Sequence, residues 1–75
     1  MARYQVIYEF LRIRTGPSTS YDCVSYYYEG EIINSGGTPF TGEDGRIWVS
    51  YTGAQTSATR YVCYRDGSTQ YLQEI

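Results

Sequence analysis

Apolar and polar positions alternate with a period of two along most of the chain, and no segment has the 3.6-residue period of an amphipathic helix. Tyr4 to Tyr8 and Leu11 to Thr15 are rich in aromatic and β-branched residues, and both read as strands. Gly16-Pro17-Ser18-Thr19-Ser20 then supplies a turn, glycine by permitting positive φ and proline by presetting the next φ. Asp22 to Tyr28 places Cys23, Ser25 and Tyr27 on one face and Val24, Tyr26 and Tyr28 on the other. The expectation is Tyr27 inward and Tyr26 and Tyr28 outward.

Glu29-Gly30 reads as a tight reversal into a strand over Glu31 to Asn34. Ser35 to Gly45, glycine-rich around Phe40, reads as a long mobile connection, of the kind that tunes specificity where it lies beside a groove. Arg46 to Thr52 and Arg60 to Tyr64 are further strands, separated by a small-residue loop over Gly53 to Thr59. Asp66-Gly67 is a hairpin signal ahead of a closing strand around Gln70 to Gln73. The pattern predicts an all-β chain of five to seven short antiparallel strands closed into a small barrel, one domain over residues 1–75, with its termini on neighbouring strands.

Composition narrows the chemistry. Ten tyrosines, two phenylalanines and one tryptophan stand in 75 residues that lack lysine and histidine. A formal charge of -2, with six scattered arginines, excludes capture of nucleic acid through its phosphates and leaves stacking and hydrogen bonding as the means of recognition. Without imidazole there is no base for a cysteine nucleophile and no ordinary zinc set, so no cofactor or metal is expected. The acids, Asp44 and Asp66 among them, fall mostly at turns and strand ends, where solvated carboxylates belong rather than a glycosidase pair. No apolar run reaches the length of a signal segment or a membrane span, so neither a leader nor membrane insertion is expected. Cys23 and Cys63 read as two buried, reduced core thiols.

Two motifs add a resemblance. Arg14, Thr15, Gly16, Pro17, Ser18, Ser20 and Tyr21, with Glu29-Gly30 later, resemble the opening of bacterial SH3-like (SH3b) cell-wall-binding domains. Trp48, Val49, Tyr51, Gly53, Arg60, Tyr61, Val62 and Arg65 are similar to the lysostaphin-like branch of that group. The resemblance spans about Tyr4 to Leu72. It implies an SH3-like barrel with a groove for peptidoglycan or its cross-bridge peptide, lined by Tyr51.

Tyr26 and Tyr28 are companion candidates because same-face rings offer a platform that stacks and hydrogen-bonds. Trp48 reads first as a partly buried anchor at the edge of the core, with ligand contact at the edge of the site as its other reading. Asp22 and Arg60 are rim candidates that also suit salt bridges. The expected function is a non-catalytic wall-binding module that targets a linked or associated peptidoglycan hydrolase, such as the catalytic domain of a phage endolysin or an autolysin of a Gram-positive host. Its place would be the bacterial cell wall, or, for a phage-encoded chain, the host cytoplasm before lysis. The rival is a structural subunit that forms homo-oligomers through exposed tyrosines; binding of proline-rich peptides is a weaker alternative.

Overall fold

The structure is a computed structural model, and it describes residues 2–35, 37–52 and 58–75. The small-residue loop expected from Gly53 lies, through Ser57, outside the described residues. Nine strands and no helix occur among them: β1 (Ala2–Val6), β2 (Phe10–Arg14), β3 (Cys23–Tyr28), β4 (Ile32–Ser35), β5 (Phe40–Thr41), β6 (Ile47–Thr52), β7 (Thr59–Asp66), β8 (Thr69–Gln70) and β9 (Leu72–Glu74). The excess over five to seven comes from β5, β8 and β9, which are two or three residues long.

All pairings are antiparallel. A three-stranded sheet runs β4-β1-β9, and a larger one runs β3-β2-β7-β6-β5 with β8 on β7. Pairing of β1 with β9 puts the two ends of the chain side by side, as expected. The turns follow their glycines: Gly30, between β3 and β4, has φ +94°, and Gly67, between β7 and β8, has φ +60°.

The core lies between the two sheets. Tyr4, Val6, Ile33 and Leu72 come from the small sheet, and Leu11, Ile13, Val49 and Val62 from the large one. Alternation then assigns the other face of the large sheet: Phe10, Arg12 and Arg14 on β2, Tyr61 and Cys63 on β7, Trp48 and Ser50 on β6. Register agrees, with Arg14 opposite Tyr61, Ser50 opposite Tyr61 and Trp48 opposite Cys63.

Cys23 departs from the expected buried pair. It is exposed, whereas Cys63 is buried, and both are free thiols. Ser25 faces Ile13, but Cys23 faces Arg14, so Val24 is one residue extra in β3. Such a bulge resets the alternation beyond it and turns Cys23 away from the core, a shift that composition and periodicity do not reveal. Burial also raises the Cys63 thiol pKa to about 11. One thiol per native chain is therefore expected to react with a disulfide reagent at neutral pH, and two after denaturation. Two fast thiols in the native protein would contradict this placement.

Candidate functional site

A groove of about 340 Å³ opens on the outer face of the large sheet, within the size range of ligand clefts. Phe10, Arg12 and Arg14 of β2 form one wall, Arg46 and Asp66 the other, and Trp48 and Cys63 lie in its floor. Tyr8 and Tyr71 close one end, in an edge-to-face pair with centroids 4.8 Å apart. The wall continues outward onto β3. Phe10 meets Tyr26 edge-on at 6.1 Å, and Phe10 pairs in register with Tyr28.

Within the segment over Ser35 to Gly45, expected to be a mobile loop, the described residues from Phe40 to Gly45 pack against the strand and tryptophan that floor the groove. Phe40 and Thr41 pair with Trp48 and Ile47. Gly42 lies so close to Trp48 and the Pro17 carbonyl that a Cβ there would overlap both. The Asp44 carboxylate ties the parts together by accepting hydrogen bonds from Thr19 N–H at 3.2 Å, Arg46 N–H at 3.1 Å, the Arg46 guanidinium at 3.0 Å and the Trp48 indole N–H at 3.0 Å. Burial alone would raise its pKa, but these donors outweigh it and hold the group at about 2. Glu43 adds a second tie by accepting from the Tyr21 hydroxyl at 2.9 Å, while its own N–H donates to the Pro17 carbonyl.

Arg46 also pairs with Asp66 at 3.0 Å, so one guanidinium joins two carboxylates across the groove wall. Arg14 donates to the Thr19 and Tyr21 carbonyls, holding the turn that carries the Gly16-Pro17-Ser18 motif. Gly16 is required there, because a side chain would run into the Tyr21 ring.

The sequence-predicted residues fall in three places. Tyr26 and Tyr28 are exposed beside the groove wall, 47% and 60% accessible. Trp48 is only 1% accessible, so it is a floor and core residue and is corrected from an edge contact: its indole is spent on Asp44 and on packing under Gly42. Tyr51 and Arg60 lie opposite each other in the β6–β7 register, on the inward face together with Val49 and Val62, away from the groove. Tyr51 is partly buried against the core, 6.0 Å from the Tyr27 ring, and burial followed by a hydrogen bond with Tyr27 raises its pKa. Arg60 donates to the Thr59 carbonyl, and Asp22 is exposed with its carbonyl bound by Thr15 N–H. These three are therefore not brought together with Tyr26 and Tyr28 in one groove.

Tyr8, Phe10, Arg12, Arg46 and Tyr71 were missed as site residues. Phe10 and Arg12 lie on a strand that was legible, and Tyr8, Arg46 and Tyr71 lie in the short connections beside β2, β6 and β9, but which surface meets a cleft depends on how the turns fold back over the sheet. Among the described residues no cluster of histidine, cysteine and carboxylate side chains is arranged to hold a metal.

Fold and groove together define a small antiparallel β-barrel-like domain with an aromatic cleft on its outer sheet face. Among solved structures it resembles Ly7917, known from its crystal structure, with a TM-score of 0.75 and 27% identity over 97% of this chain; the match spans 31% of the Ly7917 chain. No protein-family model and no curated protein matches the sequence.

Proposed function

We propose that this domain is a non-catalytic SH3b-type module that binds bacterial peptidoglycan and delivers a linked or associated hydrolase, of the endolysin or autolysin kind, to the wall. The observation that carries the reading is the groove: aromatic rings at its end and along one wall, polar groups at its rim, and a floor fixed by hydrogen bonds. Edge-on and exposed rings stack on flat peptide or sugar groups while hydroxyls and guanidinium groups orient them. The two sequence motifs support the same reading, because the turn of the first and the tryptophan of the second are held together around this groove by Asp44. Its place of action is the cell wall, or the host cytoplasm before lysis.

The deciding experiment is cosedimentation of the purified chain with sacculi before and after removal of teichoic acids. Retention on both preparations is expected, and absence of binding to either sinks the reading. Tyr8 is 42% accessible and spans the groove end, so Tyr8→Ala should leave the fold intact and weaken sacculus binding about tenfold, the size of a modest aromatic hot spot. Parent-like binding by that variant would remove the groove from the contact surface.

A second reading has its own observation. Strand β3 is the edge of its sheet, paired with β2 alone among the described residues, and it exposes Val24, Tyr26 and Tyr28. An exposed apolar edge strand favours association of copies. Sedimentation that shows a dimer in the parent and a monomer in Tyr28→Lys would favour this use of the strip.

A further inference from the structure

The groove reverses the charge of the chain around it. Its lining includes Arg12, Arg14 and Arg46 against Glu9 and Asp66, whereas the whole chain carries -2. Two of the three cations are already engaged, Arg46 by Asp44 and Asp66, and Arg14 by backbone carbonyls. Arg12 has no hydrogen-bond or ion-pair partner among the described residues; its guanidinium lies over the Phe10 ring, 5.1 Å from the centroid.

From this juxtaposition we propose that Arg12, held on Phe10, reads a carboxylate, and that the groove's ligand is a short peptide with a free carboxylate. The proposal rests on the wall-binding reading and names the ligand class for the same groove.

A guanidinium resting on an aromatic ring gains cation–π attraction through its face and keeps the N–H groups at its edge for a partner. A carboxylate matches that fork with two parallel hydrogen bonds. The rings of Phe10 and Tyr26 on one side and the Tyr8–Tyr71 pair at the end offer apolar surface for the rest of the ligand. A polyanion fits worse. Only one cation is uncommitted, and Glu9 and Asp66 would repel each added negative charge, whereas a singly charged peptide meets one free cation and neighbouring rings.

The probes are acetyl-trialanine with a free C-terminal carboxylate and the same peptide as its amide, titrated by NMR into the parent, Arg12→Gln and Arg12→Lys. Arg12 is exposed, so a thermal melt of each variant should match the parent. The parent should bind the acid about fivefold more tightly than the amide, the scale of a partly exposed charged pair. Arg12→Gln should abolish that preference, and Arg12→Lys, which keeps the charge without the fork, should retain part of it. Added salt should shrink the parent's preference.

Equal binding of acid and amide by the parent, no binding of either at millimolar concentration, or an undiminished preference in Arg12→Gln overturns the proposal. Sacculus cosedimentation separates it from the broader reading. If the parent binds sacculi and Arg12→Gln binds them equally well, Arg12 is no ligand contact while wall binding stands. If the parent binds no sacculi, wall binding falls and the acid–amide comparison still decides the role of Arg12.

Discussion

Replacing Trp48 with alanine is expected to unfold most of the stability of this domain rather than trim its binding surface. The indole is 1% accessible, packs beneath Gly42 and donates to Asp44. Truncating a buried Trp typically costs about 3 to 5 kcal/mol through lost burial and the cavity that remains. A chain of 75 residues has a total stability on the order of 4 to 11 kcal/mol, so the loss is a large share of it. The melting midpoint followed by circular dichroism should fall by at least about 12 °C. A midpoint within about 4 °C of the parent would show that the ring is dispensable to the fold and would return Trp48 to the ligand surface. Trp48→Phe should recover much of the packing while leaving Asp44 without its indole donor.

Asp44 should give the second large effect, with a pH signature that packing alone cannot produce. Its carboxylate accepts from Thr19, from both the backbone and the guanidinium of Arg46, and from Trp48. Asp44→Ala leaves the indole N–H without its acceptor and releases the turn from the sheet, at a cost of about 2 to 4 kcal/mol. Asn is a poor substitute, since its amide nitrogen would confront donors where a second oxygen accepted. The pH dependence follows from a folded-state pKa lowered from 3.8 to about 2. The unfolded chain takes up this proton at higher pH than the folded one. The stabilisation is therefore complete above pH 3.8 and is lost as pH falls through about 2. Denaturant unfolding between pH 5 and about pH 2 should show the parent converging on Asp44→Ala as the pH drops. A stability difference constant across that window would mean the carboxylate is not held in its charged form by these donors.

The same pair shows what the composition of Ser35 to Gly45 leaves out. Glycine, threonine and acidic residues in one stretch are the composition of a solvated loop. What that composition omits is that Gly42 permits close approach to a tryptophan and that Asp44 meets donors from a turn 25 residues earlier in the chain. A side chain that looks solvated in one dimension becomes a tie between segments once the chain folds back.

The period-two patterning of β2, β3, β6 and β7, the glycine turns at Gly30 and Gly67, and the absence of any helical period determined an all-β antiparallel architecture, because strand alternation and positive φ are local properties of the residues themselves. Local pattern also placed Tyr27 inward and Tyr26 and Tyr28 outward. It did not decide which outward face would become a groove. That choice came from tertiary structure: the extra residue at Val24 turned Cys23 outward, and the Asp44 contacts tie the turns around Thr19 and Arg46 over one side of the sheet. Each depends on register or on contacts between distant segments, where one inserted residue or one long-range hydrogen bond changes which side chains share a face.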